Sequence, residues 1–265
     1  MKLQIVPART GFLWVKLGIQ AFFKQPLALA GLFFMFMATV SIASLVPLLG
    51  SLVALALLPT MALGLMAATQ EATKGKFPTP AILISALRAG QQGMRSMLVL
   101  GLLYAVGFLL VLAISALFDG GEFARVFLLR SPLDESATDQ GLLQRGMLVF
   151  MVLHLPLSLA FWHAPALVHW HGVSPVKSLF FSLVACWRNK GAYVVFGLTW
   201  FLVLMTEGVI VQLIAVLMDE PTVLGVGAFA MTLLTTSMFL TSIYFTFRDS
   251  FSADVLEEPA PDAIE

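Results

Sequence analysis

Six predominantly apolar runs, each of about 20 residues or more, constrain this chain more than any other feature in it. They cover about 27–46, 49–68, 97–118, 146–168, 192–217 and 223–247. Each is long enough to cross the hydrocarbon core of a bilayer as a helix. Inside lipid a chain must satisfy its own backbone N–H and C=O groups, so an open apolar segment of this kind has to be helical. The expectation is an all-α, polytopic bundle of six transmembrane helices. Composition agrees: 59% of the 265 residues are hydrophobic, 11% are charged, and mean hydropathy is +0.94. Soluble domains carry about 25% charge.

The formal net charge is zero, but it sums unlike parts. Twelve of the fifteen Lys and Arg fall in the termini and in the 69–96 and 169–190 segments, and only Arg125, Arg130 and Arg145 fall on the other side. The positive-inside rule then puts both termini in the cytoplasm of a bacterial inner membrane. Cys186, the single cysteine, would be shielded from an impermeant thiol reagent added outside. It also rules out an intrachain disulfide and a CxxC metal motif. No basic stripe with interleaved aromatics suggests nucleic-acid binding. The first apolar run starts late and is followed at once by another, which is unlike a signal peptide. One membrane domain is expected over 1–249. A tail over 250–265, with Asp254, Glu257, Glu258 and Asp262, reads as disordered.

Three segments between the spans read as interfacial amphipathic helices. Thr10 opens the first, in which Lys16, Gln20 and Lys24 share one face while Trp14, Leu17 and Ala21 share another. Thr79-Pro80 opens the second, running to Arg95. Ser174-Pro175 opens the third, whose Val176, Leu179, Phe180, Leu183, Val184 and Trp187 follow a helical stripe. Each begins at a cap, ends in a basic residue and leads into a span. That spacing predicts a threefold parallel repeat of one surface helix and two spans. The 119–144 segment, with five acids and two arginines, reads as the longest polar loop.

Glu207 is the sharpest anomaly, since it falls near the middle of the fifth span, where an ionised side chain costs about 2.5–3.5 kcal/mol to insert. Counting depth along the spans gives it His154 and Thr232 as neighbours. These three residues could form a proton relay or a substrate or ion site. The structural alternative is a packing fixture in which Glu207 hydrogen-bonds Thr232 or Thr235. His163, His169 and His171 stand close in sequence, but their spacing does not put all three on one helical face and no acid or cysteine completes a metal set. Pro156 and Pro165 could break the fourth span beside a cavity. Gly101-x-x-x-Ala105 and the glycines at 225 and 227 would allow close helix packing. No nucleotide-binding, zinc-protease or serine-hydrolase motif occurs, so no catalytic residue, cofactor or enzyme activity is expected.

Two functions follow from these residues. The first is a non-enzymatic membrane component that binds protein partners or lipid. The second is a small transporter or lipid-handling protein that uses Glu207 and His154 within the membrane. The partners expected are membrane lipids, and further copies of the chain or other membrane proteins.

Three motifs are Trp14-Val15 with Ala21-Phe22 and Pro26; Pro165-Ala-Leu-Val through Ser174-Pro175 to Ser182-x-x-x-Cys186-x-x-Asn189; and Tyr244-Phe-Thr-Phe-Arg248-Asp249-x-Phe251. Together they resemble a signature of uncharacterised proteobacterial multi-pass inner-membrane proteins. The chain is more loosely similar to the membrane domain attached to some glycerophosphodiester phosphodiesterases. The resemblance implies the membrane location and fold but no chemistry, and no soluble phosphodiesterase domain is present.

Overall fold

The computed structural model describes residues 2–46, 48–88, 90–129, 140–218 and 221–252. Ten α-helices are seen among them: α1 (Thr10–Lys24), α2 (Pro26–Ala43), α3 (Leu49–Thr73), α4 (Gly90–Asp119), α5 (Glu122–Leu129), α6 (Gln140–Phe161), α7 (Ala164–His171), α8 (Pro175–Arg188), α9 (Lys190–Met218) and α10 (Pro221–Ser250). A 3-10 helix covers Pro80–Arg88, and two short strands, β1 (Lys2–Leu3) and β2 (Phe251–Ser252), pair antiparallel. Six segments are long and apolar enough to cross a membrane: α2, α3, α4, α6 with α7, α9 and α10. The fold is therefore the expected all-α membrane bundle. An even number of spans, together with the β1–β2 pair, puts the described ends of the chain on one face, called here the terminal face.

Local chemistry sets the boundaries. Proline at the first turn opens α2 and α8, where its missing N–H has no helical partner to lose. Gly172, in the left-handed region at φ 63°, closes α7. The 119–144 segment is less of a loop than its charge suggests. Gly121 and Phe123 N–H groups donate to the Asp119 carboxylate at 2.8 and 3.0 Å, which starts α5. Phe123 and Phe127 of α5 then pack on Phe108 and Phe150 of α4 and α6. Residues 130–139 of this segment lie outside the described residues.

The three surface elements differ from one another. Helix α1 is docked into the bundle, its Trp14, Val15, Ala21 and Phe22 buried, while Lys16, Gln20 and Lys24 stay outside together with Phe12, Leu13 and Phe23. Gly11 meets the backbone of Ala192 and Phe196, and Gly18 meets Ser242, so a side chain at either position would collide with a neighbouring helix. The second element is a 3-10 helix, and residues 90–95, expected to belong to it, continue into α4. In α8 the buried face is Ser178, Ser182, Ala185 and Cys186, whereas Val176, Phe180 and Trp187 stay 68%, 63% and 68% exposed. Most of the apolar stripe therefore points away from the protein, while Leu179 packs on the core.

The packing follows the expected repeat. The 3-10 helix lies on α3, α8 lies on α6, and α1 closes the circle on α10, so each surface element packs on the second span of the preceding unit. Close approach helps the spans pair: Gly101 of α4 abuts the Ala56 backbone of α3, and Gly227 faces Val211, but Gly225 faces open space. Of the tail expected to be disordered, Ser250 ends α10 and Phe251–Ser252 form β2, and residues 253–265 lie outside the described residues.

Candidate functional site

The fourth span is interrupted at Trp162–His163, between α6 and α7. Pro165 at the start of α7 cannot donate a helical hydrogen bond, which fixes the interruption there. The backbone groups that are released find partners on α8. Ser182 Oγ accepts from the His163 N–H at 2.9 Å and donates to the Leu159 carbonyl at 2.8 Å, and the Cys186 thiol also reaches that carbonyl at 3.7 Å. His163 is fully buried, with its Nε2 hydrogen-bonded to the Tyr193 hydroxyl of α9. Trp162 Nε1–H donates to Thr246 Oγ1 of α10 at 3.0 Å. Burial pushes the Cys186 thiol up to about 12. At 2% exposure it cannot report sidedness, so the labelling test expected of it fails on accessibility.

The terminal face is laced by a second set of contacts. Asn189 accepts from the Val6 N–H at 2.9 Å and donates to the Gln4 carbonyl at 3.0 Å. Trp14 Nε1–H donates to Asp249 at 3.0 Å, and Arg248 pairs with the same carboxylate at 2.7 Å. The residues of all three sequence motifs thus meet at one end of the bundle, as a latch.

Beyond the latch lies a cavity of about 420 Å³. Helix α6 makes no extended contact with α10, and the cavity occupies the cleft this leaves. Leu58, Pro59 and Ala62 of α3 form one side, with Tyr104 of α4 beside them. His154 and Ser158, one turn apart on α6, face Phe239, Leu240 and Ile243 of α10. Trp162 and Pro165 end the cavity towards the terminal face, where the Trp162–Thr246 hydrogen bond joins the two walls. His154 stacks on Phe150 and meets Phe108 edge-on, and its Nδ1 is buried with no hydrogen-bond partner among the described residues.

The residues expected to converge with His154 do not. Thr235 donates its hydroxyl to Glu207 Oε1, joining α9 to α10. Thr232 is exposed, and its carbonyl is engaged by Thr236 one turn along. Counting depth placed Glu207 and Thr232 at one level but not on facing sides; one helical turn onward, Thr235 is the residue turned towards α9. His154 stands on α6, which has no extended contact with α9. Nor do His163, His169 and His171 converge on one point: His163 bonds Tyr193, His169 neighbours Trp170, and His163 and His171 share only the Phe247 ring. The sequence reading missed Trp162, Tyr193 and Thr246 as partners across the cleft, because apolar runs carry no sign of which faces meet.

A protein named a probable inner membrane protein, from Burkholderia thailandensis, is 38% identical to this chain over 270 residues, covering 98% of this chain and 97% of the relative. The chain belongs to this inner-membrane family. No family model matches it, and no solved structure matches it. Membership and the six spanning helices together make it an integral, multi-pass inner-membrane protein. The looser likeness to a phosphodiesterase membrane domain has no counterpart among these matches. In this family member the motif residues hold the latch, and the cavity above it is the strongest candidate for a binding site.

Proposed function

We propose that this inner-membrane protein is a non-enzymatic component that binds lipid in the cleft between α6 and α10. The observation that carries the reading is the cavity itself, concave, predominantly apolar in its lining and set within the spanning helices. Its few polar side chains, Tyr104, His154 and Ser158, suit orientation of a ligand. Of the two functions expected from the sequence, the lipid-binding arm of the first and the lipid-handling arm of the second coincide here. Glu207 is assigned a structural role, since its carboxylate is engaged by Thr235. His154 remains as the ligand-facing residue. The phosphodiesterase activity is not carried over, because nothing in the chain resembles the domain that performs it. Both termini are assigned to the cytoplasm by the distribution of Lys and Arg.

Native mass spectrometry of the protein released from mild detergent tests this reading. Wild type and Glu207→Gln should both carry an apolar adduct in stoichiometric amount. Ala62→Phe, which fills the cleft, should lose it. A bare protomer in the wild type, or an adduct that survives Ala62→Phe, would overturn the reading. An adduct lost in Glu207→Gln while that variant stays folded would return Glu207 to the binding site.

A further inference from the structure

We infer that the cleft selects an uncharged amphiphile whose polar end carries carbonyl or hydroxyl groups, the chemistry shared by prenylated quinones and diacylglycerols. This rests on the cleft being a lipid site, and it adds the class of lipid.

Depth is the first argument. Pro59, Tyr104, His154 and Leu240 all line the cavity, and each stands within about one turn of the middle of its span: Leu49–Thr73, Gly90–Asp119, Gly141–His171 and Leu224–Ser250. The His154 level of the cavity thus stands near the bilayer midplane, and the rest of the cavity runs from there towards the terminal face. A phospholipid headgroup sits at the edge of the hydrocarbon core, about 15 Å away. To place its head beside His154, a phospholipid would have to leave its leaflet. A neutral amphiphile has no charged head to hold it at the interface, so it reaches this depth at far lower cost.

Charge is the second argument. Among the described residues, no Lys, Arg, Asp or Glu lines the cavity. A phosphate at this depth would be an unpaired charge in a low-dielectric site, which is strongly unfavourable. What the lining offers instead is hydrogen bonding from Tyr104, His154 and Ser158, surrounded by Leu, Ile, Phe and Pro side chains. Among the described residues no group engages His154 Nδ1, which is buried within the cavity wall, so no structural hydrogen bond fixes the ring on that side. An imidazole can donate to a carbonyl through one nitrogen or accept from a hydroxyl through the other. Either polar end suits the site.

The test is a binding titration of the detergent-solubilised full chain with three probes: a decyl-chain benzoquinone, dioctanoylglycerol and dioctanoyl phosphatidylglycerol. At least one neutral probe should saturate a single site, and the phosphatidylglycerol should bind at least tenfold more weakly. His154→Ala should weaken the neutral probe about threefold to tenfold, as expected for one hydrogen bond, and His154→Gln should recover part of the loss. Ala62→Phe should abolish binding, and gel filtration checks that each variant is folded. Saturation by the quinone alone, or by the glycerolipid alone, tells which source of the shared chemistry fits. Phosphatidylglycerol binding as tightly, lost in Ala62→Phe, would overturn the ligand class and leave the cleft as a lipid site. Neutral-probe binding unchanged by both His154→Ala and Ala62→Phe would overturn the class and the site together. If His154 variants fail to fold, Ser158→Ala and Ala62→Phe decide, and undiminished binding in both overturns the inference.

Discussion

Ser182 is the residue on which the interrupted span depends most directly, since it accepts from His163 and donates to Leu159 with one hydroxyl. Ser182→Ala would leave a buried N–H unpaired, and we expect it to cost about 1–3 kcal/mol, read as a lower midpoint of thermal unfolding in detergent. Cys186 beside it makes a pH-dependent prediction. Its folded thiol is raised from the ordinary value near 9 to about 12 by burial. The unfolded chain therefore loses this proton first. The contribution to stability is complete below about pH 9 and is lost as pH rises through about 12. The wild type should lose stability across that window faster than Cys186→Ala does, and the folded thiol should resist alkylation at neutral pH until the chain is denatured. At Glu207 the expected outcomes separate: Glu207→Gln keeps an acceptor for Thr235 and should unfold close to wild type, whereas Thr235→Val should unfold earlier. Glu207 was legible as an anomaly from its charge and depth alone. Its partner was not, because the choice between Thr232 and Thr235 depends on how α10 is rotated about its axis.

Among the elements, α8 and α1 carry opposite lessons about amphipathicity. The spacing of Val176, Phe180 and Trp187 reveals a helix and a stripe, but cannot say whether the stripe meets protein or lipid. In this bundle the small polar face packs inwards, because Ser182 and Cys186 serve the broken backbone of the neighbouring span. Helix α1 shows the reverse, burying its apolar face against α9 and α10. Its fit depends on Gly11 and Gly18, where the next helices approach at backbone distance. Gly18→Leu should undock α1 and lower stability by about 1–3 kcal/mol or more, as overpacking does. Limited proteolysis at the N-terminus should become faster in that variant. The same substitution at Gly31, which has no neighbour in reach, should have little effect. Helix α5 was hidden by composition: acids and arginines mask the Phe123–Phe127 pair that folds it back onto the bundle.

For the whole molecule, orientation is the open physical quantity that charge distribution addresses. In a Cys186→Ala background, Lys177→Cys at the exposed start of α8 should resist an impermeant maleimide added to spheroplasts, and Arg125→Cys in α5 should be labelled. The opposite pattern would invert the topology without altering the fold. By itself the sequence determined that the chain is a six-span helical membrane protein, where each span lies, where the three surface elements begin, and which titratable groups are anomalous. Those properties follow from hydropathy and from proline at helix starts, which act over one helix at a time; the expected caps Thr10 and Ser174 make no side-chain cap hydrogen bond. Only the tertiary structure decided that the surface elements close a circle, that the motif residues form a latch at one face, and that His154 and Glu207 serve different places. Apolar spans look alike on all sides in sequence, since lipid and protein interior both accept the same side chains. Which side meets which neighbour is settled by close approach at glycine and by a few hydrogen bonds, and these exist only once the helices are packed.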